Sequence, residues 1–276
     1  MHPLRQNPAR LVAVASGITV STVAALTAAL VVAAPATAGA ATTTTTTAAG
    51  SAAASGATAQ YNAALKAIGT KGVHFASVAK QNGAELDVSG DAGTTSGAQT
   101  LVVKQNKLTE RMSAKVVGST GYVSGNSAAL QHVIGLTKAD ATKYAGKWLS
   151  FPTSNQGLGE LVGGLLSSQV SKELEIGGPY TYGKTATVAG QHATAIKGAV
   201  ATESGGKVPV VLYIPAKGTP LPIQEVTNAG TGGGASAIHG TVTFTHWGEN
   251  KSQTAPAKST SLLKLVPASS GSTTGG

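Results

Sequence analysis

The chain has 276 residues, 41% of them hydrophobic and 4% aromatic, with 36 glycines, 11 prolines and no cysteine. That length suits one large domain or two small ones, and a core can form without covalent staples. The missing cysteines exclude disulfides, thiolate metal sites, a cysteine nucleophile and an N-terminal lipid-modified cysteine. A net charge of +9 on only 11% charged residues leaves a sparsely charged, basic surface.

Residues 1–38 read as an export signal. Arg5 and Arg10 form a basic start, Leu11–Ala34 is a 24-residue stretch without charge, and Ala36-Thr37-Ala38 offers an A-x-A cleavage pattern. The uncharged stretch is long enough to span a bilayer, but Ser16, Gly17, Thr19, Ser21, Thr22 and Thr27 dilute it. Cleavage leaves 238 residues and removes two positive charges, taking the net charge to +7. Either fate places the remainder outside the cytoplasm, secreted or in the cell-wall space, or tethered if the leader stays. The threonine run Thr42–Thr47 and the alanine, glycine and serine that follow make residues 39–59 a low-complexity linker. Residues 268–276 form a frayed tail, so the folded domain is 60–267.

Within it, Gln60 to Gly69 predicts a short helix with Tyr61, Leu65 and Ile68 on one face. The period then changes to two. Strands are expected at Val73–Val78, Glu85–Ser89, Gln99–Lys104, Thr109–Val117 and Gly121–Val123, with Asn82-Gly83 as a hairpin turn. The middle reads as helical. Ser127 is the expected cap of a helix carrying Leu130, Val133 and Ile134, and Lys138–Tyr144 forms another. Leu158, Leu161, Val162, Leu165 and Leu166 make an apolar stripe that Gly163 and Gly164 weaken. Strands return at Lys184–Val188, Gln191–Lys197, Val208–Ile214, Ile223–Thr227 and Thr241–His246. Strands, helices, then strands describe an α+β domain with helices grouped against an antiparallel sheet.

The motifs for chemistry fail on context. Gly178-Pro179-Tyr180-Thr181-Tyr182-Gly183-Lys184-Thr185 matches a phosphate-binding loop, which requires a strand before and a helix after; here a helical region precedes and a strand follows. Ser-x-x-Lys occurs at Ser77/Lys80, Ser204/Lys207 and Ser261/Lys264 without its companion motifs. Residues three apart on a strand point to different faces. Neither G-x-S-x-G nor a zinc pairing of histidines occurs: His74, His132, His192, His239 and His246 are dispersed. Glu85/Asp87 and Glu173/Glu175 read as solvent-face neighbours. No catalytic residue, metal or cofactor is expected. Scattered lysines and Arg111, the one arginine after the leader, offer nucleic acid no guanidinium forks. What remains is apolar packing between sheet and helices. It either fills the core or leaves a pocket of roughly 300–1,000 Å³ suited to an alkyl chain.

Tyr122-Val123-Ser124-Gly125-Asn126, Tyr144-Ala145-Gly146-Lys147-Trp148-Leu149-Ser150, Thr187-Val188-Ala189-Gly190-Gln191, Pro220-Leu221-Pro222 and Trp247 resemble actinobacterial LolA-like envelope lipoproteins of the LppX/LprG class. The resemblance covers residues 60–267 through the order of elements more than through strict motifs, and lacks the lipobox cysteine. It implies an unclosed antiparallel β half-barrel with helices over its concave face, holding a lipid or other acyl-chain ligand without catalysis. It also implies a peripheral contact with membrane or envelope. The cavity would be lined by Phe75, Leu86, Val88, Leu101, Val103, Leu161, Leu165, Ile214, Val242 and Phe244. The rival readings are an envelope interaction module with a filled core, and an extracytoplasmic hydrolase.

Overall fold

A computed structural model describes residues 48–81, 83–201, 207–229 and 238–265. The leader, Asn82, Ser204 and the tail lie outside the described residues. The first helix, α1 (Ala48–Ile68), starts twelve residues before the expected one, so residues 48–59, read above as linker, are helical. Alanine is the strongest helix former, and Ala57, Tyr61, Ala64 and Ile68 give this helix a buried side. It packs on β7 and the last helix, α5.

Five strands follow as an antiparallel meander: β1 (Val73–Gln81), β2 (Ala84–Ala92), β3 (Ser96–Gln105), β4 (Leu108–Val117) and β5 (Thr120–Gly125). Along β1 the buried residues alternate as Val73, Phe75, Ser77, Ala79 and Gln81, as a sheet with one wet face requires. Two short helices come next, α2 (Ser127–His132) and α3 (Lys138–Tyr144). Asn126 caps α2, not Ser127: its Oδ1 accepts from the Ala129 N–H at 2.9 Å. Its Nδ2 donates to the Thr109 carbonyl at 2.8 Å, which ties the helix to β4.

After β6 (Leu149–Pro152) the expected single apolar helix is two, α4 (Gln156–Gly163) and α5 (Ser167–Glu173). The glycines end α4, so Leu165 and Leu166 belong to the linker between them. The remaining strands are β7 (Gly177–Tyr182), β8 (Ala186–Val188), β9 (Gln191–Ala201), β10 (Lys207–Pro215), β11 (Gln224–Ala229), β12 (Ile238–Thr245) and β13 (Thr260–Ser261). The phosphate-loop match thus lies largely along β7, and Ser77 and Lys80 face opposite sides of β1.

One sheet contains all the described strands. Its path is β13-β6-β5-β4-β3-β2-β1-β12-β11-β10-β9-β7, with β8 pairing to β9. The joint is β1 with β12, in antiparallel register from His74↔Thr245 to Lys80↔His239. The two ends of the path do not pair with each other among the described residues, so this α+β sheet is curled and open. Its outer face is polar: Lys104 spans Glu85 and Asp87, at 2.9 Å from each, and Lys80 reaches Glu85 at 3.0 Å. Among the described residues no helix is long and apolar enough to cross a membrane.

Candidate functional site

Cross-strand partners share a face, so the register lays the inner side chains in rows. One row runs Phe244, Phe75, Gly90, Gln99, Ala114. The next runs Leu212, Glu225, Val242, Ser77, Val88, Leu101, Met112. A third runs Val210, Thr227, Gly240, Ala79, Leu86, Val103. Gly90 lets the Phe75 ring lie flat across β2, since a Cβ there would stand 2.7 Å from the ring's Cζ.

All ten residues expected to line a cavity join one apolar core. Phe75, Val88, Leu101, Leu161, Leu165, Ile214, Val242 and Phe244 are buried in it, and Leu86 and Val103 pack against it. Three of them, Phe75, Val242 and Phe244, line a pocket together with Val73, Gly164, Val170, Glu173 and Leu174. The pocket lies where α5 meets β1 and β12. Its volume of about 20 Å³ admits one water-sized body. The other seven belong to the surrounding core or pack against it.

The α5 wall is held at both ends. At its start the α4–α5 linker lies on the sheet: the Gly93 N–H donates to the Leu165 carbonyl at 3.2 Å, and the Ser167 N–H donates to the Gly93 carbonyl at 2.8 Å. Gly97 permits this approach, because a Cβ there would overlap the Leu165 carbonyl oxygen. At its exit the buried Tyr61 hydroxyl donates to the Leu174 carbonyl at 3.1 Å and accepts from the Ile176 N–H at 2.8 Å. Tyr180 stacks on Tyr61 with ring centroids 4.4 Å apart and donates to the Ile176 carbonyl at 2.8 Å. Burial pushes the Tyr61 phenol well above its ordinary value, so it stays neutral.

Three carboxyls of this inner side were not foreseen, one of them Glu110, 3% exposed on β4 opposite Val103. Glu173, expected on a solvent face, lines the pocket. Burial pushes its carboxyl up to about 7, with Lys172 opposing. Glu225 is 1% exposed, and neither carboxylate oxygen has a hydrogen-bond partner; burial raises its pKa well above the carboxylate range. A signal for Glu225 was present. It was weak: Glu225 alternates with the apolar Val226 on the opposite face of β11, and the nearby Ile223 packs in a separate cluster with Val188 and Ala193.

Two histidines meet carboxylates, His132 Nδ1 with Glu110 Oε1 at 2.6 Å and His74 Nδ1 with Asp91 Oδ1 at 2.9 Å. The second pair sits beside Lys251, which also binds Asp91 at 2.9 Å. Among the described residues no cluster of three or more histidines and acids could hold a metal ion.

Solved structures resemble this arrangement. LprF from Mycobacterium bovis has 15% identity and a TM-score of 0.48, over 74% of this chain and 98% of that one. The lipoprotein LppX from Mycobacterium tuberculosis has 16% identity and a TM-score of 0.43, over 72% of this chain and 98% of that one. A LolA superfamily protein from Nitrosomonas europaea has 7% identity and a TM-score of 0.25, over 71% and 94%. The likeness is of fold alone. No family model matches the chain, and no curated protein does.

Proposed function

We propose that this is an exported, non-catalytic protein that binds or carries a lipid-like, acyl-chain ligand between the concave face of the sheet and α5. The observation that carries the reading is the pocket at the α5–β1–β12 junction, walled by Val73, Phe75, Val170, Leu174, Val242 and Phe244. Its surface is apolar on the sheet side, and apolar on the helix side but for the carboxyl of Glu173, as suits an alkyl chain. The leader argues for export, and the sequence resemblance to envelope lipoproteins argues for the same compartment and for a peripheral envelope contact.

In the present conformation α5 rests on the sheet and leaves space for one water. Entry of a chain therefore requires α5 to lift, and the Gly163-Gly164 break that separates α4 from α5 supplies a point of bending. A long chain needs such cover, because each CH₂ taken out of water contributes about 0.8 kcal/mol. The small pocket volume favours a second reading, an envelope interaction module whose core is filled.

Purified native protein, extracted and examined by mass spectrometry, tests the proposal together with uptake of a fluorescent acyl probe. Co-purified lipid or saturable uptake is expected. Absence of both leaves the filled module standing.

A further inference from the structure

Glu225 sits on the inner face of β11, flanked across the strands by Leu212 on β10 and Val242 on β12. Val242 is itself a wall of the pocket, so the carboxyl lies one strand beyond that wall. A buried polar group with neither oxygen bonded is a standing cost. In an apolar sheet face it marks a place where something that bonds to it is to be expected. The neighbouring row has small side chains at its middle. Beside Glu225 and Thr227 that row carries Gly240, with no side chain, and Ala79, with one methyl, whereas on the pocket side Phe75 and Phe244 pair directly. The inner face is therefore tall at the aromatic pair and low next to the acid.

We propose that Glu225 is the polar anchor of the ligand site, and that it selects an alkyl or acyl chain bearing a hydroxyl group over one that is purely hydrocarbon. The inference rests on the carrier reading above and names the chemistry that the carrier would recognise. No cationic side chain bonds to Glu225, and burial disfavours its charged form. A neutral carboxyl presents one O–H donor and a carbonyl acceptor. A hydroxyl answers both, donating to the carbonyl oxygen or accepting from the O–H. It introduces no charge into the apolar interior, where an ion pair would have to overcome the desolvation of both partners. The hydroxyl would meet Glu225 over the low part of the face, and the chain would run toward Phe75 and Phe244 beneath α5.

The test uses the full chain with dodecan-1-ol, dodecane and dodecylamine as probes, each competed against a fluorescent acyl probe. The wild type should bind dodecanol about tenfold more tightly than dodecane, the scale of one or two buried hydrogen bonds. Glu225→Leu should bind the two equally, with its affinity for dodecane retained. Glu225→Gln keeps a donor and an acceptor and should retain the preference. Equal binding of alcohol and alkane by the wild type, or a preference that survives Glu225→Leu, overturns the anchor while leaving the carrier reading intact. Tighter binding of dodecylamine than of dodecanol overturns the neutral-hydroxyl assignment in favour of an ion pair. Failure of every probe to bind overturns the carrier reading and the anchor with it.

Discussion

Replacing Glu173 by glutamine removes a titrating group from the pocket wall while keeping its shape. The ordinary value for this carboxyl is 4.5, and burial against Val73, Phe75, Val242 and Phe244 moves it to about 7 in the folded chain. Below pH 4.5 the group is protonated whether the chain is folded or not. As the pH rises the unfolded chain ionises first, so the folded state binds more protons and its stability falls. The fall continues until the folded group also ionises near pH 7. Two and a half pKa units correspond to about 3 kcal/mol at most, since one unit is about 1.4 kcal/mol.

Glu173→Gln abolishes that loss. Urea denaturation followed by the fluorescence of Trp148 and Trp247, at pH 4, 6 and 8, should give a variant-minus-wild-type difference that grows with pH. It should approach about 3 kcal/mol more stability for the variant at pH 8 than the difference measured at pH 4. Taking the difference at each pH cancels titrations elsewhere, including those of Glu225 and of Asp91. A difference that does not change with pH refutes the placement of Glu173 in an apolar wall. The same ionisation drives the side chain toward water and loosens α5, so release of a bound acyl probe should quicken between pH 6 and 8 in the wild type only.

Tyr61→Phe strips the hydroxyl that joins α1 to Leu174 and Ile176. It should cost about 1–3 kcal/mol in urea denaturation and raise hydrogen exchange at the exit of α5 more than elsewhere. Gly97→Ala places a methyl against the Leu165 carbonyl. It should displace the α4–α5 linker and cost about 1–3 kcal/mol by overpacking, and an unchanged urea midpoint would show that the linker does not rest on the sheet there.

The strands that alternate cleanly were legible because one face is wet and the other is core. β1, β2, β4 and β12 all have this pattern, and Phe75, Leu86, Val88, Val242 and Phe244, read from it, belong to or pack against one core. β7 was not legible. Gly177-Gly178-Pro179 has the composition of a turn, and as a largely exposed edge strand it carries no alternation. The early part of α1 was hidden by low complexity: its alanines look like a spacer until β7 supplies a surface, where Gly56 lies against the Tyr182 ring. Glu173 was misread because its surroundings come from β1 and β12, distant segments of the chain brought together only by the curl. The resemblance implied a hollow, and the structure has a pocket of about 20 Å³ where α5 meets β1 and β12.

The pairing of β1 with β12 also constrains how the molecule comes into being. The first strand of the meander waits for residues 238–245, so through most of synthesis one of its backbone edges is bare. Such an edge invites strange partners, and closing a contact across so many residues is slow. The newly made chain thus passes through a stage when it most needs a chaperone, and that stage ends only when the penultimate strand arrives.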